Sequence, residues 1–133
     1  MNNFYQLSDD NLWKILSNKK GGVYKIIAIK EGKIVPQHRF LNIDIEGILY
    51  IGKATSYIDR ITGLVKSISP KYKGNSHICG RRYKSNPNIA KLFPFDLLYL
   101  DIVPSNEPEV LEKKLLREYF DKFGEAPPLN AHY

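Results

Sequence analysis

Residues 23 to 29 read VYKIIAI, a run of β-branched and aromatic side chains entered through the pair Gly21-Gly22. Such a run is a strand, and a strand must find partners. Two later runs offer them: GILYIG at residues 47 to 52 and FDLLYLDIV at residues 95 to 103. Glu31-Gly32-Lys33 makes a turn after the first run, and residues 33 to 35 begin a return that Pro36 interrupts. Residues 36 to 46 are polar and read as an irregular loop with some extended structure. The second strand is then expected antiparallel to the first.

Between the strands the periodicity changes to helical. Ser8 stands as an N-cap, with Asp9 and Asp10 at the positive helix end and Leu12, Ile15 and Leu16 on one side. Tyr57, Ile58, Ile61, Leu64, Val65 and Ile68 fall at helical spacing, and Pro70 ends that helix. Residues 70 to 86 read as a basic loop, and Asn86-Pro87 caps a short helix through Leu92. A long helix starts at Asn106-Glu107-Pro108 and stops at Gly124. The fold class expected is α/β (α+β): a small, mainly antiparallel three-stranded sheet with flanking helices. With 133 residues and 43% hydrophobic content, one domain over residues 1 to 133 suffices, with residues 1 to 20 as an N-terminal helical extension.

One cysteine, Cys79, cannot form an internal disulfide and suits a reducing cytoplasm. No run approaches the ~18 apolar residues of a membrane span, and the first ten residues lack signal-peptide character. A soluble cytoplasmic protein without a membrane partner is the expectation.

The net charge of +6 favours an anionic partner, and its distribution is more informative than its size. Arg60, Lys66, Lys71, Lys73, Arg81, Arg82, Lys84 and Lys91 lie in a stretch with no Asp or Glu. Such a stretch can neutralise several phosphates and release their counterions. A solvated basic loop has the same composition. On the long helix, Glu112 lines up with Leu116, Tyr119 and Phe123 at i, i+4, i+7 and i+11. A carboxylate on an apolar stripe needs a partner, which a divalent cation or an arginine could supply. Tyr24 and Tyr50, in GVY and YIG, read on their own as half-buried strand tyrosines.

Taken in order, these elements resemble the GIY-YIG nucleases. Gly22-Val23-Tyr24 stands for the first triplet and Tyr50-Ile51-Gly52 for the second, with Lys53 directly after it. Arg60 follows Tyr50 by ten positions, VLEKKLLREY places Glu112 at the family's metal carboxylate, and Asn130 in PPLN matches the closing asparagine. The resemblance spans about residues 21 to 130 and is also close to the nuclease domain of the bacterial excision-repair incision protein. It departs in reading GVY, in a longer gap that makes residues 31 to 46 an insertion, and in a longer connection from helix to asparagine. A His-x-x-Gly element, His77 to Gly80, and the FG-x-x-PPLN ending are more like stand-alone or restriction-type members.

The resemblance implies a metal-dependent DNA endonuclease working on double-stranded DNA with one Mg²⁺ or Mn²⁺ held by Glu112. Tyr24 is implied as general base, its phenol tuned downward by Lys53 or metal-bound solvent. Arg60 stabilises charge on the phosphate, Tyr50 positions water or phosphate, Asn130 braces the site, and His77 either acts at the phosphate or is a loop histidine. Lys66, Lys71, Lys73, Arg81, Arg82, Lys84 and Lys91 would bind DNA. Cutting both strands requires a homodimer or successive nicks. The competing classes are a DNA-binding module or subunit that does not cut, and a nuclease for RNA or single strands.

Overall fold

A nine-residue strand, β2 (Gly22–Lys30), runs through the middle of the sheet, and the other strands are placed by what they pair with along it. The computed structural model describes residues 4–72 and 77–130 of the 133. Before β2 come β1 (Tyr5–Gln6) and α1 (Leu12–Ser17); after it come the two-residue strands β3 (Lys33–Ile34), β4 (Gln37–His38) and β5 (Ile43–Asp44), then β6 (Ile48–Ala54). Helices α2 (Tyr57–Ile68), α3 (Ile78–Ser85) and α4 (Pro87–Leu92), a 3-10 turn (Phe95–Leu97), β7 (Leu98–Pro104) and α5 (Pro108–Phe123) complete the chain. The molecule is mixed α/β, with an antiparallel sheet and five helices among the described residues.

Strands β6 and β7 flank β2, both antiparallel to it. The sheet has five strands rather than the expected three, because β1 pairs with β7 and β3 with β2. Of the two additions, β3 is the short return expected after Gly32, and β1 is a two-residue strand too short to show a period. Residues 37 to 44 close a separate small hairpin, which is the extended structure expected within that loop.

Alternation along β2 divides the core. Tyr24, Ile26 and Ala28 join Leu98 and Leu100 under α1, α2 and α3, while Val23 and Ile27 join Ile48 and Ile51 under α5. The expected stripe on α5 is there: Leu116, Tyr119 and Phe123 are buried, and each contributes about 1.5–3 kcal/mol by leaving water. Gly124, at φ 76°, ends the helix in the left-handed conformation.

Two helix readings need correction. Ser8 does not cap α1, which begins at Leu12 behind Asn11. The chain before it is drawn to β7, where the Leu7 N–H donates to Leu98 O at 3.0 Å, and Asp9 accepts from Asn11 N–H instead. Within the supposed basic loop at 70 to 86, residues 78 to 85 form α3. A Cβ at Gly80 would collide with Ser67 on α2, so glycine is what lets the two helices touch. By contrast α2 keeps its expected bounds despite Gly63.

Candidate active site

The two glycine-tyrosine triplets meet through strand register. Tyr24 on β2 lies directly opposite Gly52 on β6, and Ile26 opposite Tyr50. Tyr24 and Tyr50 are therefore diagonal neighbours on one face, with ring centroids 6.0 Å apart. Gly52 is glycine because a Cβ there would come within 2.6 Å of the Tyr24 hydroxyl and 2.7 Å of the Tyr50 ring. Both phenols are sunk into the molecule, Tyr24 at 0% exposure and Tyr50 at 7%.

His77 completes a cluster of three rings. Its Nε2 lies 2.8 Å from Tyr24 Oη, and its ring packs edge-on against Tyr50 at 5.5 Å. The residue is the N-cap of α3, where its Nδ1 accepts the backbone N–H of Cys79 at 3.1 Å. That bond assigns the tautomer. Nδ1 carries a lone pair, so the neutral ring bears its proton on Nε2 and donates it to the Tyr24 oxygen. Burial holds the imidazole at a pKa of about 4, with Arg60 and Arg81 adding to the effect. The contact of Gly80 with Ser67 and the bond from His77 N–H to Ser67 Oγ at 3.3 Å seat the start of α3 against α2.

Burial pushes the Tyr24 phenol well above its ordinary value, and Tyr50 pushes in the same direction. Arg60, on the first turn of α2, is the cation that opposes this. The expected tuning of Tyr24 by Lys53 or metal-bound solvent belongs to the metal-loaded site; in the chain alone burial dominates. Lys53 is exposed, 3.9 Å from Glu109, and its charge does not figure in the balance at Tyr24. Tyr50 is raised to about 12, first by burial; Arg60 lowers it and the Glu112 carboxylate raises it. Half-buried Glu112 therefore makes its charge felt at Tyr50, although α5 packs against the opposite face of the sheet.

Asn130 is joined to Tyr50 through the backbone. Its Oδ1 accepts from Ile51 N–H and its Nδ2 donates to Ile51 O, each at 3.0 Å, while Leu129 N–H donates to Leu49 O at 2.8 Å. The tail thereby satisfies the edge of β6 beside the tyrosine.

Of the basic residues expected to meet DNA, Lys66, Lys71, Arg81, Arg82, Lys84 and Lys91 are all exposed. Arg82 reaches Pro128 O at 3.3 Å and Lys84 reaches Tyr72 O at 3.0 Å. Lys73 lies outside the described residues. Sequence reasoning passed over a cleft of about 580 Å³ between the end of β6, the start of α2 and the start of α5. Lys53 and Arg60 line it with Asp59, Glu107 and Glu109. Asp59 lies far in sequence from the neighbouring Glu107 and Glu109, so no local pattern announces the cleft.

No helix among the described residues is long and apolar enough to cross a membrane. Compared with protein-family models, curated proteins and solved structures, the chain matches none.

Proposed function

We propose that this chain is a metal-dependent DNA endonuclease of the GIY-YIG type that hydrolyses phosphodiester bonds. The observation that carries the reading is the cluster of Tyr24, Tyr50 and His77 with Arg60 acting on both phenols; Glu112, on the helix packed against the other face of the sheet, bears on Tyr50 alone and more weakly. Exposed cations on α2, α3 and α4 supply a surface for the phosphate backbone.

The donor set decides which metal fits. Among the described residues no three His, Cys, Asp or Glu side chains stand together as a cation site. A single half-buried carboxylate, Glu112, suits a hard ion that keeps most of its water, as Mg²⁺ or Mn²⁺ does. Such an ion, when bound, supplies positive charge against the phosphate and the leaving oxygen.

The chain's own residues account for the rest. Arg60 offers a guanidinium fork to phosphate oxygens. Tyr24 Oη is held by His77 Nε2–H at 0% exposure, so the attacking water must be admitted to it when substrate binds. To accept that water's proton, Tyr24 must first lose its own. Arg60 and the His77 N–H both favour the phenolate, while burial opposes it and wins in the free molecule. Cleavage is therefore expected to rise with pH across the neutral range and beyond, rather than peak near pH 7.

Incubating labelled DNA with Mg²⁺ or Mn²⁺, with an EDTA control, tests the reading. Products with 5′ phosphate and 3′ hydroxyl ends are expected, and Glu112→Ala should lower the rate by about 10³-fold with the fold retained. Cleavage by that variant at the wild-type rate would exclude the assignment. Binding without cleavage by the wild-type chain, under either metal, would make it a DNA-binding module instead.

A further inference from the structure

The cleft beside Arg60 is large enough, at about 580 Å³, for a small organic group, and its lining is chemically mixed. Two cations, Lys53 and Arg60, face three carboxylates, Asp59, Glu107 and Glu109, in a chain whose net charge is +6. A further phosphate is a poor occupant for a lining in which acids outnumber bases. Ala54, Pro108 and Val110 add apolar wall. Apolar wall together with carboxylate acceptors suits a flat, neutral group rich in N–H donors.

Position links the cleft to the phosphate. Arg60 both lines the cleft and acts on Tyr24 and Tyr50. Pro108 and Glu109 stand one turn before Glu112 on the same side of α5. A phosphate held at Arg60 therefore has the cleft as a neighbouring volume, ready for the next group along the nucleic-acid chain.

We propose that this cleft receives the unstacked base of a nucleotide adjoining the scissile phosphate, and that it selects a base with an exocyclic amino group, guanine foremost. The proposal rests on the nuclease reading above and names the substrate class within it. Guanine presents two adjacent N–H donors on its Watson–Crick edge, a match for one carboxylate, whereas thymine has no amino group. In an intact duplex those donors are paired and the base is stacked, so the favoured substrate carries an unpaired nucleotide at the cut. Double-stranded DNA without such a defect is then the poorer substrate.

The test uses end-labelled oligonucleotides, single-stranded or carrying one unpaired nucleotide. Guanine, thymine or an abasic site is placed in turn on either side of the cut, and kcat/KM is measured with Mg²⁺ and with Mn²⁺. Guanine is expected to exceed thymine and the abasic site by about tenfold at one of the two positions. Val110→Trp fills the cleft from a position already 62% exposed, and Glu107→Gln removes one acceptor without changing size. In a folded Val110→Trp chain the guanine ratio should fall toward one; Glu107→Gln provides the same reading should the tryptophan disturb the fold. Equal cleavage of all three substrates by the wild-type chain overturns the cleft assignment and leaves the nuclease reading intact. No cleavage of any substrate under either metal overturns both.

Discussion

On the face of the sheet beneath α2 and α3, the candidate site is held by burial. Tyr24 is 0% exposed, its hydroxyl is met by His77, and His77 is itself only 1% exposed. On the face beneath α5, by contrast, the helix that carries Glu112 is tied to the hairpin of residues 37 to 44 by hydrogen bonds. Asp44, 1% exposed, accepts backbone N–H bonds from Glu46, Gly47 and Ile48 and a fourth bond from the Tyr119 hydroxyl at 2.9 Å. Leu41 N–H donates to Phe123 O, and Arg39 pairs with Glu125 at 2.9 Å. One half of the site is fixed by exclusion of water around a cluster of three rings, the other also by a polar latch seven residues beyond Glu112. Damage should therefore travel differently in the two halves.

The largest effect is expected at the latch. Asp44→Ala strips the side-chain acceptor from the Glu46 and Ile48 N–H groups and a buried phenol, while Gly47 N–H keeps the Asp44 carbonyl at 3.2 Å, and each unsatisfied donor carries its desolvation cost. A loss of about 3–5 kcal/mol is expected in urea unfolding. Asp44→Asn, which keeps an acceptor oxygen of the same reach, should lose less. A change below ~1 kcal/mol in the alanine variant would mean that the hairpin merely rests on α5 and that the contrast between the halves is false.

The other half should respond to acid. Folding lowers the pKa of His77 from 6.5 to about 4, so the unfolded chain binds a proton that the native chain refuses. The stabilisation is complete above pH 6.5 and is lost as the pH falls toward 4, up to about 3 kcal/mol. His77→Gln should remove that share of the acid sensitivity, read as the difference between wild-type and variant stability at pH 7 and pH 4.5. Parallel pH curves for the two chains would show that the ring is not held neutral.

What the sequence discloses follows the physical range of each interaction. The long strands and α2 carry their own period, so 23 to 29 and 57 to 68 are readable locally. The order of Tyr24, Tyr50, Arg60, Glu112 and Asn130 is also visible, but the register that sets Tyr24 over Gly52 belongs to two strands at once. Helix α3 escapes because it is basic and contains a glycine whose purpose, contact with Ser67, lies on another helix. His77 looks equally like a loop residue until the Cys79 amide and Tyr24 are placed on its two nitrogens. Asp44 passes as one more polar residue of an insertion, since its fourth partner is 75 positions away. The depth of Tyr24 is not legible locally either: Lys53 is adjacent to the triplet in sequence, whereas burial comes from the whole fold.

The smallest expected effect lies where the two halves adjoin, at the edge of β6. Asn130 supplies both partners of the Ile51 backbone, but its side chain is only partly buried, so water can replace much of what an alanine removes. Asn130→Ala should cost about 1–2 kcal/mol, less than the loss of the Asp44 latch. Its local signature should be sharper than its stability signature. The Ile51 amide loses its acceptor and should exchange with deuterium faster, while the amides of β2, shielded by β6 on one side and β7 on the other, should keep their protection. Because Tyr50 precedes Ile51, the cleavage proposed above should fall more than the stability loss implies if the tail positions the phenol. If Ile51 exchange is unchanged in the variant, the tail does not hold the edge of β6, and the two halves of the site are joined only by the sheet.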